Sequence, residues 1–203
     1  TELLKAGVDT KSVLGEASQA ALDLAAAGDL SLTEAAEVMS TAMNVFGTKD
    51  ATHVADLLAG AANASATDVH EMKYAFSQVA ADAHGVGMSI DDVNVALATF
   101  AQYGQKGEKA GTGLRNMLNN LQPHTKPAAE TFSKFNFLDS NGNSVFYTAE
   151  GKLKSMAEIA DIMQKNLGKL NPAELDMALY DMFGVEGKGL AKVIMEQGAK
   201  AFI

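Results

Sequence analysis

A chain of 203 residues with 47% hydrophobic and 20% charged side chains has the makeup of a globular protein, neither disordered nor fibrous. Sixteen basic against twenty-five acidic residues leave a formal net charge of −9, and Arg115 is the single arginine. No dense cationic face exists to displace counterions, so neither non-specific nucleic-acid nor anionic-membrane binding is expected. One arginine scarcely supports bidentate phosphate recognition, and sequence-specific nucleic-acid binding is not expected either. The absence of cysteine excludes disulfide frameworks, thiolate metal sites and thiol catalysis.

Thirty-five alanines, no tryptophan and three prolines favour helix over sheet and a core of small contacts. The charge is uneven: residues 1–103 hold 4 basic and 14 acidic side chains (net −10), residues 104–203 hold 12 and 11 (net +1). A solvated acidic surface accounts for this; a face for a basic partner is the sharper alternative. No uncharged apolar run is long enough for a transmembrane span. The chain opens at Thr1, not at a methionine, and is read as an excerpt of a longer one.

Helix signals recur along the chain. Ser31-Leu32-Thr33-Glu34 is a capping box, followed on one face by Leu32, Ala35, Met39, Ala42, Met43 and Phe46, with Gly47 as the stop. Asp50 caps the next helix, which points Val54, Ala55, Leu58 and Ala62 inward. Ser65 to Asp68 starts another through Val69, Met72, Phe76, Val79, Ala80 and Ala83. Ser89-Ile90-Asp91-Asp92 opens a helix to Gly104, and 108–122 is a further amphipathic stretch.

Pro123 and Pro127 bracket a break, with Pro127 in the first turn of a short helix through Phe135. Asn141-Gly142, flanked by β-favouring Phe137-Leu138 and Val145-Phe146-Tyr147, predicts a β-hairpin over Phe137–Tyr147. Leu153 to Leu167 predicts a long helix ended by Gly168. Asn171-Pro172-Ala173-Glu174 starts one that stops at Phe183-Gly184, and a last helix carries Leu190, Val193 and Ile194. Met39, Met43, Met72, Met117, Met156, Met163 and Met182 fall on inward faces as core filler. The fold class expected is all-α: a compact multi-helix domain of about eight to ten helices with one small β-hairpin. It is taken as a single domain over 1–203, with a subdivision near 122–127 separating a helical part, 1–122, from a hairpin-plus-helix part, 127–203.

Few constellations carry chemistry. Asp139, Asn141, Asn143 and Glu150 have the spacing of a calcium loop, but position 6 is Ser144 where that loop needs glycine, and an Asn-Gly turn explains the same residues. His53, His70, His84 and His124 are scattered, and His70-Glu71 lacks the second histidine of a zinc helix because position 74 is tyrosine. Gly111-Thr112-Gly113 and Gly184 to Gly189 with Lys188 follow no strand and match no phosphate-loop spacing. Neither catalysis nor a cofactor is expected.

The residues also carry a resemblance. Leu22-Asp23-Leu24-Ala25, the Leu30 to Ala36 helix start, Phe46-Gly47, Ala61-Ala62-Asn63-Ala64-Ser65 and above all Tyr103 to Arg115 resemble the core region of phage tail tape measure proteins. The order of these motifs over most of the chain carries the likeness. The resemblance implies a structural virion protein that takes part in tail assembly, tail-length determination and DNA delivery, assembled in the host cytoplasm. It implies tail tube protein, distal tail protein and tail assembly chaperones as partners, and is compatible with self-association. It brings no active site. Gly107, Gly111, Thr112, Gly113, Leu114 and Arg115 are read as a structural junction, in which the glycines let the chain turn and pack closely before a helix carrying Leu114. Because caps and glycines interrupt the chain, this is a folded-back block, not a continuous ruler helix, so length-setting would lie elsewhere. A helical adaptor or a calcium-binding module unrelated to phage tails is the alternative.

Overall fold

A computed structural model of the chain describes residues 2–5, 7, 13, 15–65 and 67–202. Ten α-helices can be delimited among them: α1 Glu2–Lys5, α2 Glu16–Gly28, α3 Leu32–Phe46, α4 Ala51–Ala64, α5 Val69–Gly85, α6 Ile90–Gln102, α7 Gly107–Asn119, α8 Lys126–Lys134, α9 Met156–Leu167 and α10 Pro172–Gln197. A 3₁₀ turn, Ala199–Phe202, follows. Among the described residues no helix is long and apolar enough to cross a membrane.

Local chemistry sets the helix starts. Full capping boxes stand at Ser31/Glu34, Ser89/Asp92, Ser155/Glu158 and Asn171/Glu174, where each side chain satisfies the other residue's orphan amide. The Asp50 carboxylate accepts from His53 N at 2.9 Å and that of Asp68 from Glu71 N at 2.8 Å. Thr125 caps α8 with Pro127 in its first turn.

The chain divides into two compact units. The first comprises Thr1–His84 and Ser89–Gly111; the second comprises Gly85–Met88 and Thr112–Ile203. In the first unit α1 packs on α3, α2 on α3 and α4, α3 on α4, and α4 on α6. Its core is built on Leu24, Met39, Val54, Leu58, Phe76, Val79, Val93, Leu97 and Phe100, all buried. In the second, α10 packs on α8 and α9, and the 3₁₀ turn packs on α9. There Phe132, Phe137 and Phe146 form one cluster, with Phe137 and Phe146 stacked at 5.2 Å and Phe132 edge-on to Phe146 at 6.1 Å. The seven methionines assigned inward are all buried.

The expected hairpin is absent. Among the described residues there is no β-strand, only isolated antiparallel bridges at Leu138–Ser144 and Tyr147–Leu153. The turn itself forms: Asp139 N donates to Asn143 O at 2.8 Å, and Gly142 takes the left-handed place of a three-residue loop at φ +83°. Both arms are then diverted. Phe137 N donates to Phe132 O at the end of α8, next to Asn136 at φ +58°, while Ser144 Oγ donates to Leu121 O at 2.6 Å. Burying Phe137 and Phe146 costs the ladder its length.

One helix boundary also differs. Leu153 stands in a bridge, not a helix, so α9 begins at Met156. The backbone leaves the helical region at Gly184, at φ +68° and ψ −175°, so α10 is two helical segments meeting at a kink where the Phe183-Gly184 stop is expected.

Candidate functional site

The stretch 107–115 lies in α7, whose first residue is Gly107, seven positions before Leu114. Only Gly107 serves a turn, at φ +56°. Gly111 and Gly113 lie within the helix, so what they supply is close approach, not a change of direction. A Cβ on Gly111 would overlap the Ala75 carbonyl oxygen of α5 and lie 2.8 Å from Gln78 Cβ. A Cβ on Gly107 would overlap the Glu71 carboxylate at the start of α5.

Two residues further on, within the second unit, a Cβ on Gly113 would stand 2.9 Å from Leu190 Cδ1 and 3.1 Å from Glu186 O on α10. Gly187 returns the contact, since a Cβ there would stand 3.2 Å from Met117 N. Asn116 Nδ2 donates to the Glu186 carboxylate on the same crossing. Leu114 is fully buried, whereas Thr112 and Arg115 are half-buried. Thus α7 makes a backbone-close contact in each unit, and the boundary between units falls at Gly111/Thr112 inside it. The glycine spacing marks this stretch in the sequence, but Ala75 and Gly187 go unmarked there. The available signal was Gly187, a glycine inside a helical pattern that no turn requires.

The calcium-like loop uses its carboxylates differently. Asp139 Oδ1 accepts from Asn141 N and Asn143 N, both at 2.8 Å, and Oδ2 accepts from Asn143 Nδ2 at 3.3 Å. These bonds, the one from the Asn143 backbone foremost, hold the Asp139 carboxyl below its usual range. Glu150 is lowered by the Thr148 hydroxyl. An open cavity of about 590 Å³ borders the loop, lined by Asp139, Asn143, Tyr147 and Lys154 among others, and burial pushes the Tyr147 hydroxyl up. Lys154 Nζ donates to Val145 O at 2.8 Å.

Each histidine serves a local contact: His53 pairs with Asp91 at 3.2 Å, His84 stands edge-on to Phe46 at 5.5 Å, and His124 bonds Asn119 O at 2.8 Å. His70 Nε2 lies 3.4 Å from Asp29 O. Lys188 pairs with Asp176 at 2.9 Å. Among the described residues no group of three or more His, Cys, Asp or Glu is placed to hold a metal ion.

Fold and site together define a helical protein whose distinctive feature is backbone-close packing between helices. The chain belongs to the phage-related minor tail protein family, whose model matches residues 1–184. It is 31% identical over 147 residues to the tape measure protein of Pneumococcus phage Dp-1, covering 70% of this chain and 13% of that protein. It is 29% identical over 199 residues to a probable tape measure protein of Escherichia phage P2, covering 95% of this chain and 23% of that one. The chain therefore spans less than a quarter of the length of either relative. No solved structure matches it.

Proposed function

We propose that this chain is a globular block of a phage tail tape measure protein, a structural component of the virion acting in tail assembly, tail-length determination and DNA delivery. Membership of the minor tail protein family over residues 1–184 carries this reading, and likeness to two tape measure proteins over 70% and 95% of the chain supports it. Its work is structural, with no catalytic step. Its partners are the tail tube protein, the distal tail protein and the tail assembly chaperones.

Residues Gly107 to Arg115 act as a structural junction within this block. Glycine contacts with Ala75 on one side and with Glu186 and Leu190 on the other favour packing over ligand binding. The block folds as one piece of a longer chain without being its ruler. A ruler gains about 1.5 Å per helical residue, whereas here even α10, 26 residues in all, is broken by the non-helical kink at Gly184.

The test is an in-frame deletion of this block in the parent phage, with tails measured by electron microscopy. Loss of assembled tails, or rare tails of normal length, is the expected result. Tails shortened in proportion to the residues removed would refute the assignment of length-setting elsewhere. Normal numbers of infectious, full-length tails would refute the structural role itself.

A further inference from the structure

We infer that Asn141 is a site of spontaneous deamidation, at which the turn Asp139–Asn143 converts to an isoaspartate-containing form. Asn141 is the only asparagine in the chain followed by glycine. Both residues are exposed, and a Cβ built on Gly142 would meet nothing within 4 Å, so solvent and free space surround the reacting pair. Asn143, the other asparagine in the loop, differs on both counts: its amide is held by Asp139 Oδ2 at 3.3 Å and the next residue, Ser144, is buried.

Loss of the Gly142 amide proton to solvent base frees its nitrogen to attack Cγ of Asn141. The Cγ–Nδ2 bond breaks, and that nitrogen takes a proton from water and leaves as ammonia, closing a cyclic imide. One water then adds across either imide C–N bond, giving aspartate or isoaspartate. The net change consumes water and releases ammonia, with no oxidant or reductant.

One bond opposes the attack. Gly142 N donates to Asp139 O at 3.0 Å and must be released first, so the folded chain reacts more slowly than the unfolded one. The isoaspartate product routes the main chain through the old side chain and lengthens it by a methylene. Asp139 Oδ1 then loses its paired grip on the 141 and 143 amides. The bond from Val145 N to Phe137 O at 3.0 Å, next in line, loses protection with it.

The test holds the folded chain in mildly alkaline buffer, with a urea-unfolded sample alongside, and follows the tryptic peptide 135–152 by mass. That peptide should gain the amide-to-acid mass before any other asparagine-bearing peptide and accept methyl label from a protein-isoaspartate methyltransferase. The Asn141→Gln variant should do neither. In the aged chain the Val145 amide should exchange several-fold faster, whereas in Asn141→Asp, which keeps the normal backbone, it should not. A folded chain left unmodified while the unfolded one converts would overturn the inference, as would conversion mapping to Asn143 or unchanged Val145 protection in the isoaspartate form.

Discussion

Gly111→Ala offers the most direct test of the close approach between α7 and α5. In an open helical position this change removes backbone freedom from the unfolded chain and stabilises by about 0.5–1 kcal/mol. Gly60, inside α4 with nothing within 4 Å of an added methyl, is such a position and serves as the control. At Gly111 the methyl would overlap the Ala75 carbonyl oxygen and stand 2.8 Å from Gln78 Cβ. The carbonyl is main chain in the middle of α5, so it cannot rotate away as a side-chain tip would. Forcing such a group apart costs about 2–3 kcal/mol, and after the helical gain the net loss is about 1–2 kcal/mol.

With a urea slope of about 1–3 kcal/mol per molar, the unfolding midpoint should fall by roughly 0.3–2 M. Helical circular dichroism through a urea titration reads this, with Gly60→Ala moving the opposite way. A Gly111→Ala chain as stable as the parent would show that the helices separate freely there, and the junction reading would fail.

Gly184→Ala should destabilise by about 1–3 kcal/mol although it meets no neighbour, because φ +68° with ψ −175° is essentially a glycine conformation; thermal melting checks it. Ser155→Ala should remove the α9 capping box and cost about 1 kcal/mol, read from urea midpoints. Phe146→Ala should cost about 3–5 kcal/mol by opening the three-ring cluster, and near-ultraviolet dichroism should lose that cluster's share of the phenylalanine signal. Glu34 and Glu158 are held below the usual carboxyl range by the Ser31 and Ser155 hydroxyls, and Asp139 by the Asn143 amide. Their support is therefore whole above their unfolded values, near 4.5 for Glu and 3.8 for Asp, and is lost as pH falls through the lower folded ones. Melting temperature should drop on acidification, less steeply in Glu158→Gln than in the parent; equal slopes would count against the capping contribution.

What the sequence made legible was local. Ser31 with Glu34, Asp50, Asn171 with Glu174 and the inward methionines are recognised from spacing alone, because a cap and its partner lie within one turn. Phe137 to Tyr147 misled for the converse reason. Asn-Gly does make a turn, but whether a ladder follows depends on where Phe137, Ser144 and Phe146 are drawn, and Phe132 and Leu121 decide that from outside the segment. Gly111 and Gly113 look like helix breakers by propensity. Only the position of Ala75 and Leu190 reveals which neighbours they let approach. Leu153 has helical spacing to Met156 yet pairs with Tyr147, again through a partner that periodicity cannot supply.

The capping boxes bear on how such a chain is made. A box needs only residues three apart, so Ser31 and Glu34 can engage as soon as both have left the ribosome. Synthesis delivers about 5–20 residues per second, whereas a helix relaxes in about a microsecond. Each of α3, α6, α9 and α10 thus has its starting point marked before the next one emerges. In the first unit the main helix pairs in contact lie within two places along the chain, so docking can keep pace with translation. A long nascent polypeptide built this way exposes little unassigned apolar surface at any moment of its synthesis.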